Sequence, residues 1–183
     1  KREEDNLYSK RFEKLKEYPR VNSSIQQNIQ DNDALVLHST IHLSVAVAIS
    51  LEALVAPVIK NAEDLTVSGL SRRINELSQK ARNGSLSPDD LSGGTYTLSN
   101  NGSYGTLMTA PIINQPQIAI LSIDSIKRRP VVIQDGDGES LGIRPTGILS
   151  QSFDLRAIDG AYSAAFLNKV RSLLEGHEWL NEI

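Results

Sequence analysis

The sequence predicts an α+β fold, a mixed β-sheet sandwich with helices on one side. Three observations lead there. Stretches with strand patterning outnumber helical ones, and the helices fall between groups of strands without strict alternation. Ile118 to Ile123 is a near-continuous apolar run, the pattern of a strand buried on both faces. Last, a two-residue alternation from Ile148 to Leu155 passes through a tight turn into Ala161, Ala164, Ala165, Val170 and Leu174, which recur at helical spacing.

The elements follow in chain order. Residues 1–9 are mostly polar and read as an exposed lead-in to a core domain spanning 10–175, with an apolar tail at 176–183. Lys10 to Tyr18 has helical spacing, with Phe12, Leu15 and Tyr18 inward and Pro19 as its stop. Residues 20–33 are loop-like. Leu35 to Ser39 and Ile41 to Ile49 are predicted strands; in the second, Ser44, Ala46 and Ala48 share a small-residue face suited to close packing beneath another layer. Leu54 to Ile59 is a further strand, and its Pro57 favours an edge or a bulge. Thr66 or Asp64 can cap a helix that runs to about Arg82 and ends at Asn83-Gly84. Ser87 to Asp90 is a turn with a short helical piece, and Thr95 to Asn100 a strand. Pro130 to Ile133 and Gly142 to Arg156 are expected to complete the sheet, with Asp135-Gly136-Asp137-Gly138-Glu139 as a hairpin turn lacking the spacing of a calcium loop.

Composition narrows the function classes. The 183 residues suffice for one domain with a substantial core. A net charge of −3 offers no broad attraction for nucleic acid or anionic lipid, so neither is an expected partner. The chain has no cysteine, which removes disulfides, thiolate nucleophiles and cysteine-ligated metals. The charged start Lys1-Arg2-Glu3-Glu4-Asp5 does not read as a secretory leader, and the apolar region His42–Ile59 is interrupted by Ser44, Ser50, Glu52 and Pro57, which argues against a membrane span. No metal site is expected: His38 and His42 lie four apart on predicted strands without nameable further ligands, and they read as solvent-facing.

The turn itself is Ser152-Phe153-Asp154-Leu155-Arg156-Ala157-Ile158-Asp159-Gly160. It resembles the Asp-His-Arg-x-x-Asp-Gly signature of dihydrolipoyl acyltransferases, the core subunits of 2-oxoacid dehydrogenase complexes, and of the related chloramphenicol acetyltransferases. Asp154, Arg156, Asp159 and Gly160 match, while the histidine position holds Leu155. Other stretches carry the same resemblance: Tyr18-Pro19-Arg20-Val21-Asn22, Gly93-Gly94-Thr95-Tyr96-Thr97-Leu98-Ser99-Asn100, Ile113-Asn114-Gln115-Pro116-Gln117-Ile118-Ala119-Ile120-Leu121 and Arg129-Pro130-Val131-Val132. It implies a chloramphenicol-acetyltransferase-like fold over roughly residues 12–175. The family's extra N-terminal strand and helix have no counterpart here.

In the resembled family the histidine takes the proton from the thiol of coenzyme A or dihydrolipoamide, and a serine of a neighbouring subunit hydrogen-bonds the tetrahedral oxyanion. By motif match that serine is Ser99. Leu155 can accept no proton, and losing a general base lowers a rate by about 10²- to 10⁴-fold. Two readings of Ser99 stand, an oxyanion donor or an ordinary strand-end serine. Asp159 is by position an N-cap for the last helix and by motif match a site residue. Asp154, Arg156 and Gly160 are expected to shape the turn.

The resemblance therefore implies an acyltransferase-fold core domain with lost or reduced activity and a structural role, like the non-catalytic "protein X" of such complexes. The alternative is an active enzyme with another base, moving an acyl group between a lipoyl or carrier-protein thiol and coenzyme A; His177 is one residue that could supply it. No tightly bound cofactor is expected; coenzyme A and lipoyl or pantetheine thiols would be substrates. The resemblance further implies a homotrimer inside a larger core, in the cytoplasm or mitochondrial matrix, visited by carrier or lipoyl domains. Trp179, Leu180 and Ile183 form an apolar knob that either docks trimers together or folds back on its own domain.

Overall fold

The computed structural model describes residues 36–50, 53–136 and 138–176. The predicted lead-in, the helix at 10–18, His177 and the Trp179-Leu180-Ile183 knob lie outside these residues. Strands β1 (Leu43–Val45), β2 (Val47–Ala48), β3 (Leu54–Val55) and β4 (Val58–Ile59) precede helix α1 (Val67–Arg82). Strands β5 (Tyr96–Asn100), β6 (Ala119–Ile123), β7 (Lys127–Asp135), β8 (Gly138–Thr146) and β9 (Leu149–Phe153) follow, and α2 (Gly160–Gly176) comes last.

Five strands form one mixed sheet in the order β4-β1-β5-β6-β9, parallel at β1/β5 and β5/β6 and antiparallel at both margins. The two-residue period divides its side chains between two faces. One face carries Leu43, Ile59, Tyr96, Leu121 and Gln151, and both helices pack there. Leu77, with Leu70 and Ile74 beside it, covers Ile59 and Leu43. In α2, Phe166 lies with its ring centroid 5.9 Å from that of Tyr96, and the Ser163 hydroxyl reaches Gln151 Oε1 at 3.0 Å. The expected sandwich with helices on one side is thus the observed arrangement.

The opposite face is largely polar: Ser44, Thr97, Ser99, Ser122, Ser150 and Ser152 share it with Val58 and Ile120. The loop after β5 covers it. Gln117 donates to Ser44 Oγ at 3.2 Å and accepts from Thr97 Oγ1 at 2.6 Å, Asn101 donates to Ser122 Oγ at 3.3 Å, and Ser150 donates to the Thr109 carbonyl. Ser44 and Ser122 are buried, so the small-residue face expected on the strand containing Ser44 lies beneath another layer at Ser44 alone: Ala46 is half-buried and Ala48, in a different sheet, is exposed. Two glycines permit this. Gly93 has φ +78°, which L side chains rarely adopt, and a Cβ on Gly94 would stand 2.1 Å from Ser44 Oγ.

Four expectations about strands need correction. Residues 36–39 form no strand. The predicted strand 41–49 breaks at Ala46, where successive amides turn to different partners: Val45 N donates to the Pro57 carbonyl and Ala46 N to that of Leu98. Leu54 to Ile59 breaks around Pro57, whose lack of an N–H prevents a continuous ladder; its second half, β4, is the sheet edge that Pro57 favours. Gly142 to Arg156 is two strands, parted at Gly147-Ile148, where the Ile148 carbonyl accepts from Asp124 N. Of these only β9 joins the main sheet, while β7 and β8 form a separate hairpin. The helix limits held: Thr66 Oγ1 accepts from Gly69 N at 3.1 Å, and Gly84 has φ +64° just past Asn83. So did the hairpin turn, with Asp135 opposite Gly138 and Gly136 at φ +60°.

Candidate functional site

The turn after β9 is built from its own backbone and two carboxylates. Asp154 N still bonds the sheet, donating to the Ile118 carbonyl at 2.8 Å. The Asp154 carbonyl then accepts from Ala157 and Ile158 amides, closing the turn. Its carboxylate accepts from Arg156 N at 2.9 Å and from Arg156 Nε and Nη2 at 3.1 and 2.7 Å, a forked ion pair. The Arg156 guanidinium, followed by its backbone amide, holds the Asp154 carboxyl below the usual carboxylate range. The expected structural pairing of Asp154 with Arg156 is present.

Asp159 caps α2. Its Oδ1 accepts from Tyr162 N at 2.8 Å and its carbonyl from Ser163 N. Gly160 opens the helix outside the left-handed region, with nothing within 4 Å of where a Cβ would stand. Within one chain, then, neither steric crowding nor backbone strain demands glycine there.

Leu155 projects from this turn and is 75% exposed. Ser99 does not lie beside it. Ser99 is level with Ser122 and hence with Ser150 on β9, whereas β9 leaves the sheet three residues later at Phe153. Three residues along a strand are about 10 Å and two strand spacings also about 10 Å, so even Phe153 is roughly 14 Å from Ser99. Leu155 lies further on. A single chain does not bring the two motif positions together.

A buried cluster that sequence reasoning missed sits at the Ser99 end. Asp124 is 1% exposed and accepts from Thr106 Oγ1 at 2.6 Å, Thr109 Oγ1 at 2.7 Å and Thr109 N at 3.0 Å. The Thr106 hydroxyl above all keeps its carboxyl below the ordinary range. Asp124 thereby pins the loop that leaves β5 just after Ser99. The only signal in the sequence was an aspartate directly after an apolar strand.

His42 is half-buried rather than solvent-facing as expected. His42 Nδ1 accepts from Asn61 N at 3.1 Å, which assigns it to the backbone of the turn before α1, and His38 is exposed. Among the described residues no group of three or more His, Asp or Glu could hold a metal ion. No helix among them is long and apolar enough to cross a membrane.

With the geometry established, known proteins give a consistent picture. Residues 11–181 match the family model for the 2-oxoacid dehydrogenases acyltransferase (catalytic domain). The chain is 40% identical, over 91% of its length, to the dihydrolipoyllysine-residue succinyltransferase component of the 2-oxoglutarate dehydrogenase complex of Bacillus subtilis. A probable dihydrolipoamide acetyltransferase from Listeria monocytogenes superposes with a TM-score of 0.74 at 38% identity, covering 83% of this chain and 65% of that one. The cubic core of the pyruvate dehydrogenase multienzyme complex superposes at 0.71 and 33% identity, covering 77% and 56%. The chain spans 38% of the length of the Bacillus relative.

Proposed function

Because the chain belongs to the 2-oxoacid dehydrogenases acyltransferase (catalytic domain) family, we propose that it is a core domain of a 2-oxoacid dehydrogenase-type complex that serves assembly, with acyl transfer lost or much reduced. The observation that carries this reading is Leu155. The turn around it is fully formed, with Asp154 paired to Arg156 and Asp159 capping α2, yet the side chain that projects from it is a leucine. Acyl exchange between thioesters at neutral pH needs a group that deprotonates the attacking thiol. A hydrocarbon does not do so. The thiols at issue are those of coenzyme A and of a lipoyl or carrier-protein pantetheine arm, visiting substrates rather than resident cofactors.

Assembly would be as a homotrimer inside a larger core, in the cytoplasm or mitochondrial matrix. Two features support it. Ser99 and Leu155 lie at opposite ends of one sheet, so they can face each other only between copies. The β7–β8 hairpin also presents Pro130, Val132, Leu141 and Ile143 on one face, and Val132, Leu141 and Ile143 are 60%, 82% and 57% exposed. Such a contiguous apolar patch marks an interaction surface.

Thioester exchange between acetyl-coenzyme A and dihydrolipoamide tests the reading, with sedimentation of the same sample. The expected result is an oligomer that exchanges at least about 100-fold more slowly than a histidine-bearing family domain. Comparable turnover would overturn the loss of activity, and a stable monomer at micromolar concentration would overturn the assembly role.

A further inference from the structure

The same tripeptide, Asn-Gly-Ser, stands at two places in the chain, Asn83-Gly84-Ser85 and Asn101-Gly102-Ser103. Asparagine before glycine carries a chemistry of its own. The glycine nitrogen attacks the asparagine Cγ, and glycine, lacking a Cβ, hinders that approach least. A new N–Cγ bond closes a five-membered succinimide while the Cγ–Nδ2 bond breaks. The glycine amide gives its proton to solvent, and Nδ2 takes one from solvent and leaves as ammonia. Water then opens the ring at either carbonyl. One product is aspartate; the other is isoaspartate, in which the main chain runs on through Cγ. The sum is amide plus water giving carboxylate plus ammonium, with nothing oxidised or reduced.

Because the reacting residues are identical, the fold separates the two places. Ring closure needs main-chain rotation at the asparagine, whose ψ is 0° at Asn83 and 4° at Asn101. At Asn101 that rotation is held on several sides. Its amide donates to the Ile123 carbonyl at 2.9 Å, its Nδ2 to Ser122 Oγ at 3.3 Å, and its carbonyl accepts from Thr106 Oγ1 at 3.0 Å. Thr106 is tied in turn to the buried Asp124, and the nucleophile itself, Gly102 N, donates to Asn100 Oδ1 at 3.0 Å. Asn83 is exposed at the end of α1, and its side chain makes no hydrogen bond among the described residues. Gly84, at φ +64°, has nothing within 4 Å of where a Cβ would stand. Two bonds close the turn: Gly84 N to the Ala81 carbonyl at 3.2 Å and Ser85 N to that of Lys80 at 2.9 Å, the pattern that ends a helix on a left-handed glycine. A helix end opens at little free-energy cost, whereas a residue bonded into the core opens only with it.

We propose that Asn83-Gly84 is a self-modification site, which converts to isoaspartate and aspartate in the folded chain while Asn101-Gly102 is spared. Conversion releases the end of α1. Isoaspartate inserts one carbon into the main chain and takes the Gly84 and Ser85 amides out of register with the Ala81 and Lys80 carbonyls. Both products also set a carboxylate at the negative end of the helix dipole. Lys80 and Arg82 in the last turn offset only that second effect.

The test uses each place as the control for the other. The full chain is aged at mildly alkaline pH, folded and in concentrated guanidinium chloride, then digested, and both peptides are followed by the mass gain of amide to acid. The ratio of conversion at Asn83 to that at Asn101 is expected to be at least 10-fold larger in the folded chain than in denaturant. In the aged folded chain, hydrogen exchange at the Ser85 amide should be 10-fold or more faster. Asn83→Gln, whose longer side chain would have to close a larger ring, should show neither change. A smaller rise in the ratio would overturn the proposal. So would no conversion at Asn83 in the folded chain, or Ser85 exchange unaltered once Asn83 has converted.

Discussion

Gly94→Ala tests the polar layer beneath the sheet. The new Cβ would stand 2.1 Å from Ser44 Oγ, 2.8 Å from Gln117 Nε2 and 3.4 Å from Val58 Cγ2. Ser44 is 1% exposed on a strand paired on both sides, so its backbone has no room to yield and only its hydroxyl can turn aside. Overpacking of this kind costs about 1–3 kcal/mol. If the Ser44 hydroxyl rotates away, Gln117 Nε2 loses its acceptor, and an unsatisfied buried donor adds about 1–3 kcal/mol. A loss of roughly 2–6 kcal/mol corresponds to a fall in thermal midpoint of about 4–24 °C for a chain of this size. Thermal and urea unfolding of both forms measure it. Ser44→Ala supplies the internal check: with the hydroxyl gone, the double variant should lose less than the two single losses summed, because the residues share one contact. A Gly94→Ala midpoint within about 1 °C of the parent, or strictly additive losses, would refute the reasoning.

Asp124→Asn should lower the thermal midpoint by about 4 °C or more, since the amide nitrogen would have to face donors that now meet carboxylate oxygens. Stability should also fall in acid. Asp124 and Asp154 both have folded pKa values below their unfolded ones, so their contribution is whole above the usual carboxylate pKa of about 4 and drains away as pH falls through the folded values. Urea titrations between pH 7 and pH 2 should show that decline, and Asp124→Asn should flatten it. Val132→Asp with Leu141→Asp should shift sedimentation from oligomer to monomer without loss of circular dichroism; an unchanged sedimentation coefficient would remove the hairpin from the interface. Leu155→His alone should restore at most a trace of thioester exchange, because a base also needs a fixed tautomer and a thiol held in place, and positioning contributes about 7–11 kcal/mol in well-oriented reactions. Robust turnover in that variant would show that the base was the only defect.

What the sequence made legible were the features whose physics is local. The Thr66 cap, the Asn83-Gly84 stop, the turn at Asp135 and the Asp159 cap each depend on a few adjacent residues, and each is found where the pattern put it. The twice-buried β6 was equally readable, because four consecutive residues from Ala119 to Ser122 are buried. Strand limits failed where tertiary partners decide them: alternation continues from Ile41 to Ile49, yet the ladder changes partner at Ala46. Asp124 escaped for the same reason, since its two threonines lie 15 and 18 residues away and only the returning loop brings them to it. The site divides along this line. Asp154, Arg156 and Asp159 interact over two or three residues, so the turn persists whatever side chain stands between them. The relation of Ser99 to Leu155 is of the other kind, since the strand register sends them to opposite ends of one sheet. A chain can therefore keep every local contact of this motif while changing the one residue whose function needs a partner beyond its own turn.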